Sequence, residues 1–438
     1  MVKVADSIAR IAGAQRLIAS AEKRARDSAD QRRSIPHRVP RRVHSARDKL
    51  GALLLDGSFG TRSTTPDHSS GASRVIVNGE CMTSHCFMPG MSRRAVLALA
   101  SLLAVLSGPV MTGLSPAGYA HAQTAPADPL GSWNDGPAKQ AIIDFVRATT
   151  DPANPNFVGP EDRIATFDLD GTLWVSHPMY TQVVYAFDRV PAVVKAKPEL
   201  ATVEPFKTVL SGDQAAIAKL STKDLETIVS VALSGMSVET FRAETNKWLE
   251  TAQHPRWKRP YTALAYQPMQ EVINYLRAKG FRTYIVTGTI QDFVRVFAER
   301  VYGIPPEQVI GSADTLKFGY DAQGKPLLTI EPNLLLNDDF SGKPDDIYMF
   351  IGRRPFAAFG NSTGDRQMLE YTKAGRGIRL AMIVLHDDAK REYAYGPAEG
   401  LPNTRVGYFP QGLYDEAKKQ GWIVISMKND WKRIFAFE

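Results

Sequence analysis

Two aspartates stand one residue apart in the stretch FDLDGTLW, residues 167–174, where the apolar run IATF ends. Successive side chains of a strand point to opposite faces, so Asp168 and Asp170 point one way while Leu169 points into the sheet. At the carboxyl end of a strand the two carboxylates converge on one pocket. Gly171 lets the chain turn away at once, and the local backbone amides can face an anion. The stretch indicates a pocket that joins two acidic groups to an anion site.

Three more polar motifs follow later in the chain. Thr287 ends the run YIVT and is followed by Gly288, Lys343 lies in SGKPDDI, and GNSTGD at 360–365 follows the run FAAF. Ligands of doubly wound sheets bind at the carboxyl ends of the strands, so motifs that follow strands are expected to meet there.

Short apolar runs alternate with helical patterns from about Trp133 onward. Continuous apolar runs are typical of strands that helices cover on both faces. The order of strands and helices predicts an α/β fold with a doubly wound parallel sheet. The candidate strands are RIATF (163–167), RTYIVT (282–287), FAAFG (356–360), RLAMIVL (379–385) and WIVISM (422–427).

One interval between strands is too long for a simple crossover. Over a hundred residues separate Asp170 from the next predicted core strand, and they include helical patterns such as KDLETIVSVAL. We therefore expect residues 178–262 to form a mainly helical cap inserted over the active face of a domain at 163–438. Residues 123–162 form its N-terminal lead-in.

The four motifs together resemble the haloacid dehalogenase-like superfamily of phosphohydrolases, whose signature is a strand followed by DxDGT. The resemblance covers about Arg163 to Met368. The hairpin-like stretch VIGSADTLKFGYDAQGKPLLTI and the position of the cap are most similar to the phosphoserine-phosphatase-like branch. The resemblance implies a fold with a Rossmann-like core.

The resemblance also implies roles for individual residues. Asp168 would attack phosphorus to give an aspartyl phosphate, and Asp170 would protonate the leaving group and then activate water. Thr287, Gly288 and Lys343 would bind the phosphoryl group. The cofactor would be Mg²⁺, and the residues implied to hold it are Asp168, Asp170 through its backbone carbonyl, Asn361 and Asp365.

The chain departs from the family pattern at two places. Asn361 stands where the last motif usually carries its first acid, which predicts weaker metal binding. His177 stands nine residues after Asp168, where phosphoserine phosphatases carry a Glu for the substrate ammonium. A histidine is a poor partner for a cation, so His177 either contacts another leaving group or is a solvated loop residue.

Other residues have both a functional and a structural interpretation. Trp174 is a possible substrate contact. The cap residues Met236, Phe241 and Trp248 could wall a pocket with it, although aromatic residues at helical spacing more often belong to a core. The run of residues 386–388, His-Asp-Asp, resembles a metal cluster on paper. Three neighbouring side chains splay apart after a strand, so a solvated loop is the preferred interpretation.

The basic charge of the chain is confined to its N-terminal part. Residues 1–90 carry 15 Lys and Arg against 8 Asp and Glu. Their net charge of +7 equals the net charge of the whole chain. The domain is nearly neutral, so the charge indicates no nucleic-acid partner. We regard residues 1–90 as a doubtful extension, disordered or a start-site artefact. Both cysteines, Cys81 and Cys86, lie there, so the domain needs no thiol chemistry.

Residues 91–122 read as an export signal. Met91 is followed by two arginines, by the apolar run AVLALASLLAVL and by the small-residue end Ala120-His121-Ala122. Twelve apolar residues are too few to span a bilayer, which takes about 20. We expect cleavage, periplasmic or secreted location and no stable membrane association afterwards, and the SRRAVL start is similar to a twin-arginine signal.

The sequence thus predicts an exported Mg²⁺-dependent phosphatase that hydrolyses small phosphate monoesters. A phosphotransferase and a catalytically inactive binding protein on the same fold stay open as alternatives. The leaving group and the oligomeric state do not follow from the sequence.

Overall fold

The computed structural model describes residues 128–438. Their central element is one seven-stranded sheet. The strands are β1 (Ile164–Phe167), β2 (Arg282–Ile290), β3 (Val309–Tyr320), β4 (Pro326–Leu336), β5 (Ala357–Gly360), β6 (Leu380–Leu385) and β7 (Ile423–Ser426). Their order in the sheet is β4-β3-β2-β1-β5-β6-β7. All neighbouring strands are parallel except β3 and β4, which form an antiparallel hairpin at one edge.

The five predicted core strands are present, and the predicted α/β doubly wound fold is confirmed. Every residue of β1 and of β6 is buried, as expected for strands covered on both faces. Strand β2 extends to Ile290, three residues beyond its predicted end at Thr287. The predicted hairpin is formed by β3 and β4.

Helices cover both faces of the sheet. The α-helices are α1 (Pro137–Thr150), α2 (Thr181–Ala196), α3 (Phe206–Ser211), α4 (Gln214–Ile217), α5 (Thr222–Leu233), α6 (Val238–Thr251), α7 (Gln267–Ala278), α8 (Gln291–Arg295), α9 (Ala298–Tyr302), α10 (Gly342–Ile351), α11 (Arg366–Lys373), α12 (Gln411–Lys419) and α13 (Met427–Asp430). Six of them, α2 to α7, lie between β1 and β2, and the first five of these fall within residues 178–262, where the sequence predicts a cap.

Side chains that alternate along the strands contribute to two hydrophobic clusters. Phe167 of β1 and Phe359 of β5 belong to the larger cluster, and their rings stack with centroids 4.5 Å apart. Ile164 of β1 and Val286 of β2 belong to the second cluster on the opposite face. This two-sided packing fixes β1 in the middle of the sheet, so the residues that follow Phe167 emerge at the centre of its carboxyl edge.

The predicted N-terminal extension and export signal, residues 1–122, lie outside the described residues. Within residues 128–438 no helix has both the length and the apolar character needed to cross a membrane.

Candidate active site

The turn after β1 carries the two predicted catalytic carboxylates. The backbone N–H of Asp168 donates to the Phe359 carbonyl at 2.9 Å, so β1 stays paired with β5 up to this residue. Leu169 is fully buried below the turn. Gly171 has φ +87°, and a Cβ there would lie 2.1 Å from the Asn361 amide. Only glycine fits at this position, because both the backbone conformation and the available space exclude a side chain.

Lys343 joins the motifs at the ends of three strands. It is the second residue of α10, and its side chain is buried. Its Nζ lies 2.8 Å from Asp168 Oδ1, 3.0 Å from Asp365 Oδ1 and 2.6 Å from the Val286 carbonyl oxygen. One cation therefore bridges two carboxylates and the backbone of β2.

Charge and burial oppose each other at this bridge. Burial and the neighbouring charge of Asp365 raise the pKa of Asp168 to about 8, although Lys343 pulls it down. Burial alone would lower the pKa of Lys343, but the carboxylates around it outweigh burial and hold the pKa above its usual value. Lys343 is thus a permanent cation. Asp168 needs further positive charge to stay ionised at neutral pH.

Asp170 has a different environment from Asp168. Its Oδ1 accepts a 2.9 Å hydrogen bond from Trp174 Nε1, and its Oδ2 accepts a 2.7 Å hydrogen bond from Thr289 Oγ1. Burial raises the pKa of Asp170, while these two hydrogen bonds act against the rise. A carboxyl group with a raised pKa and a fixed orientation suits proton transfer.

Trp174 does not line a substrate pocket, contrary to the sequence-based suggestion. Its side chain is fully buried, and its ring stacks on Phe297 with centroids 4.6 Å apart. The indole is held four residues beyond Asp170 because the turn folds back, with the Gly171 N–H donating to the Trp174 carbonyl at 2.8 Å. Trp174 therefore orients Asp170.

Thr287 and Gly288 lie at the same edge of the sheet. Thr287 is buried, and its Oγ1 accepts a 3.2 Å hydrogen bond from the Thr289 N–H. A Cβ at Gly288 would lie 3.6 Å from Asp339. Thr289 was not predicted as a site residue, but it lies at the irregular end of β2 and donates a hydrogen bond to Asp170.

The GNSTGD turn follows β5 and holds Asp365. Asp365 Oδ2 accepts the backbone N–H groups of Asn361 and Ser362 at 2.9 and 3.0 Å, while its Oδ1 faces Lys343. Asp365 therefore holds both the backbone of the turn and the side chain of Lys343 in place. Of the four residues implied as metal ligands, Asp168 and Asp365 both contact Lys343, and the role of Asp365 as a ligand stays a prediction.

The other three implied ligands converge. One side-chain amide atom of Asn361 lies 3.3 Å from Asp168 Oδ2 and 3.2 Å from the Asp170 carbonyl oxygen. With the amide nitrogen in that position, Asn361 donates hydrogen bonds to both oxygens. With the amide oxygen there, it lies from the other two oxygens at separations close to the ~3 Å between adjacent ligands of an octahedral Mg²⁺. The Thr172 hydroxyl donates to this amide oxygen at 3.4 Å and to Asp168 Oδ2 at 3.2 Å.

This oxygen set fits a hard divalent cation. It consists of one carboxylate, one backbone carbonyl and one amide, and among residues 128–438 no three His, Cys, Asp or Glu side chains group as a metal site. The cation would supply the positive charge that an ionised Asp168 needs. With one formal negative charge among these three ligands, the site is weakly charged for such an ion.

His177 is buried, so the solvated alternative is wrong. Its ring stacks on Tyr395 with centroids 3.7 Å apart, and its Nδ1 finds no hydrogen-bond partner within residues 128–438. Burial lowers the pKa of His177 to about 3, with a further contribution from His386. The imidazole is neutral and offers no charge to a leaving group.

The solvated loop predicted for residues 386–388 is also wrong. His386 is buried with its Nε2 2.7 Å from the Gly171 carbonyl oxygen, and Asp388 is buried against Arg391. Asp387 points elsewhere and accepts the Ser426 hydroxyl at 2.5 Å. The three side chains diverge, as expected from the sequence, but into protein contacts rather than solvent.

The cap aromatics belong to a core. Phe241 is fully buried, and Trp248 packs against Tyr185 with ring centroids 5.2 Å apart. Met236 is partly buried against the same hydrophobic cluster. The preferred sequence interpretation of these residues as core is confirmed.

Residues 165–370 match the family model of haloacid dehalogenase-like hydrolases. This segment belongs to that family. The haloacid dehalogenase-like segment runs from β1 into α11 and includes every residue implied for catalysis, phosphate binding and metal binding, whereas His386 lies beyond it. No curated protein matches the chain.

Several solved structures are similar to the chain at low identity. A protein of unknown function from Anaerococcus prevotii shares 15% identity over 57% of this chain and 86% of that one, with a TM-score of 0.38. A protein of unknown function from Bordetella pertussis shares 15% over 60% and 97%, with a TM-score of 0.37. A phosphoserine phosphohydrolase-like protein from Francisella tularensis shares 17% over 51% and 88%, with a TM-score of 0.26. At these identities and TM-scores, no activity of the three proteins can be assigned to this chain.

Proposed function

We propose that the domain hydrolyses small phosphate monoesters through an aspartyl-phosphate intermediate, with Mg²⁺ as its cofactor. The observation that carries the proposal is the contrast between the two carboxylates: Asp168 is bridged to Lys343 at 2.8 Å, and Asp170 is held by two neutral donors. The position of Asp168 beside a cation favours its ionised form as a nucleophile, and the fixed orientation of Asp170 suits the transfer of a proton.

In the first half-reaction a carboxylate oxygen of Asp168 attacks phosphorus. A bond forms between this oxygen and phosphorus, and the bond from phosphorus to the ester oxygen breaks. The proton of the Asp170 carboxyl group moves to the departing oxygen, which leaves as an alcohol. In the second half-reaction the Asp170 carboxylate takes a proton from water, whose oxygen attacks phosphorus, and inorganic phosphate departs from Asp168.

The first step requires compensation of negative charge. A carboxylate that approaches a phosphate dianion at about 4 Å meets roughly 8 kcal/mol of repulsion at an effective dielectric constant near 20. Lys343 offsets part of it, and it is the one cation within hydrogen-bond distance of Asp168 in residues 128–438. Asp168, the Asp170 carbonyl and Asn361 would hold Mg²⁺, which when bound supplies the remaining positive charge at the phosphoryl oxygens.

Thr287 and Gly288 are proposed to position the phosphoryl group. The Thr287 hydroxyl lies at the carboxyl edge of the sheet on the strand next to β1. We take small-molecule monoesters as the substrate class, with no nucleic-acid partner, and a phosphotransferase as the second candidate. Intact Asp168, Asp170 and Lys343 weigh against an inactive binding protein.

The test is phosphate release from a panel of monoesters by the full chain, with Mg²⁺ or with EDTA, beside Asp168→Asn. We expect turnover that disappears with EDTA and in the variant. Turnover that survives in Asp168→Asn would contradict the proposed nucleophile. Release of alcohol without inorganic phosphate, in the presence of an added acceptor alcohol, would favour phosphotransfer.

We also propose that the protein is exported through the signal at 91–122. Sequencing of the mature N-terminus from native cells tests this separately. A mature chain that begins near Gln123 is expected, and one that retains residues before Met91 would contradict the proposal.

A further inference from the structure

A buried histidine outside the family segment contacts the catalytic turn. His386 follows β6, its side chain is 1% exposed, and its Nε2 lies 2.7 Å from the carbonyl oxygen of Gly171. A carbonyl only accepts hydrogen bonds, so Nε2 carries the hydrogen and donates it. The residue after Asp170 is thereby tied to the end of a strand two positions away in the sheet.

The imidazole is fixed from its other side by a buried acid. Glu392 has no exposed side-chain surface, and its Oε2 lies 3.2 Å from His386 Nδ1. Its Oε1 is 3.4 Å from the Tyr266 hydroxyl, a weaker contact. The Glu392 contact at Nδ1 holds the imidazole ring in the orientation that directs Nε2 at the Gly171 carbonyl.

The loop that carries this pair is itself held against the turn. Tyr395 stacks on His386 with centroids 4.2 Å apart, and its N–H donates to the His386 carbonyl at 3.0 Å. Its hydroxyl is 2.8 Å from Ser176 Oγ. Arg391, beside Glu392, donates to the carbonyl of Trp431 at 3.0 Å. The contacts leave the histidine little freedom to follow a moving turn.

The turn needs such a restraint because its pivot is glycine. Gly171 has the greatest backbone freedom of any residue type and adopts φ +87° here. Fixing its carbonyl limits rotation about its ψ angle. The Asp170 carbonyl, one peptide unit earlier, belongs to the oxygen set assigned above to the metal, so its direction depends on the same turn.

We propose that His386, oriented by Glu392, is a positioning residue that holds the Gly171 carbonyl and so keeps the Asp168–Asp170 turn in its binding geometry. This inference rests on the proposed function for its catalytic consequence. The positioning itself is a property of the turn and is measurable without turnover.

The experiment compares three variants of the full chain. His386→Leu removes the donor and keeps much of the volume, and His386→Gln restores an N–H donor near the place of Nε2. His254→Leu is the matched control, because His254 is also fully buried and its Nε2 lies 2.7 Å from a backbone carbonyl, that of His177. The control loses the same kind of contact away from Gly171.

Two of the measurements do not depend on enzymatic turnover. Hydrogen exchange by mass spectrometry reports on the turn amides, four of which bond within the turn: Gly171 N–H to the Trp174 carbonyl, and the N–H groups of Thr172, Leu173 and Trp174 to the Leu169 carbonyl. Calorimetric titration with Mg²⁺ alone reports on the oxygen set. The value of kcat is measured third.

In His386→Leu we expect turn exchange at least tenfold faster and Mg²⁺ affinity weaker by about 10–100-fold, the usual effect of losing a group behind a metal site. His386→Gln should recover most of both. His254→Leu should lower Tm while turn exchange and Mg²⁺ affinity stay within threefold. Wild-type exchange and affinity in His386→Leu, or equal changes in His254→Leu, would overturn the proposal.

Failure of the proposed function gives a different pattern. If no ester is hydrolysed but His386→Leu still accelerates exchange of the turn, the phosphatase proposal fails and the positioning role stands. Should His386→Leu not fold, Glu392→Gln keeps the buried volume and weakens the hold on Nδ1. It is expected to show smaller changes in the same direction, and unchanged turn exchange in this variant would overturn the proposal.

Discussion

Thr289 Oγ1 donates a 2.7 Å hydrogen bond to Asp170 Oδ2, so a residue of β2 orients the carboxyl group proposed to transfer protons. A hydrogen bond to a charged group contributes about 1.5–3 kcal/mol, equivalent to roughly 10–100-fold in rate. Thr289→Val should lower kcat by that factor, and Thr289→Ser should retain most of it. Steady-state kinetics on alkyl and nitrophenyl phosphates test this. A loss as large for the nitrophenyl ester, whose leaving group needs no proton, would contradict the assignment.

Asn361→Asp is expected to tighten Mg²⁺ binding by about tenfold or more, because the number of charged ligands tunes affinity at such sites. The change also removes the amide group that can donate to Asp168 and the Asp170 carbonyl. Calorimetric titration of the two proteins with Mg²⁺ measures the difference. Equal affinities would show that Asn361 is not a ligand. Asn337→Asp, an exposed asparagine changed in the same way, serves as the control.

Lys343→Met should abolish turnover and lower the free energy of unfolding by about 3–5 kcal/mol at about pH 9.5, where Asp168 is ionised, since removing one partner of a buried ion pair leaves unpaired charge. The loss should shrink at pH 5. Burial raises the pKa of Asp168 to about 8 even with the lysine present, so Asp168 is protonated and neutral there. Urea unfolding at the two pH values tests this. A loss independent of pH would indicate that packing rather than charge is responsible.

Asp314, which lies away from the catalytic carboxylates, makes the stability of the fold depend on pH. Burial, and secondarily Asp292, raises its pKa to about 6. Between the unfolded pKa near 3.9 and 6, the native state binds the proton more tightly, so stability falls as pH rises through this window and stays lower above it. Asp314→Asn should raise stability by on the order of 1–3 kcal/mol at pH 7.5 and leave it nearly unchanged at pH 3.5.

Thermal unfolding of both proteins at the two pH values measures the Asp314 effect. Asp292→Asn would give a smaller gain, because Arg242 and Arg295 lie 3.6 Å from its carboxylate. A gain for Asp314→Asn that persists at pH 3.5 would rule out charge as its origin.

The strands and the turn can be predicted from the sequence because both are local properties of the chain. Four buried residues followed by D-L-D-G define both the strand and the direction of the two carboxylates. Thr289 is harder to predict from the sequence. It stands two residues after Thr287, beyond the predicted end of the strand, and the pairing of β2 with β3 is irregular between Thr287 and Ile290.

The contacts of Trp174 and His386 could not be read from the sequence. The indole reaches Asp170 only because the turn folds back on itself, a property of its three-dimensional path. A His-Asp-Asp run after a strand suggests solvent, yet β6 ends at the same sheet edge as β1, and the following loop passes over the turn. Burial of such residues depends on what a distant segment covers.

The position of β1 in the sheet has a consequence for synthesis of the protein. Ile164 pairs with Arg282 and Ala165 pairs with Ala357, so both strands that pair with β1 are synthesised much later than β1 itself. Contacts this distant in sequence slow folding. A nascent chain that ends before β5 presents an apolar strand with one edge unpaired, and the complete turn forms only after His386 has left the ribosome. We therefore expect the growing chain to depend on chaperones more than a protein built from local contacts.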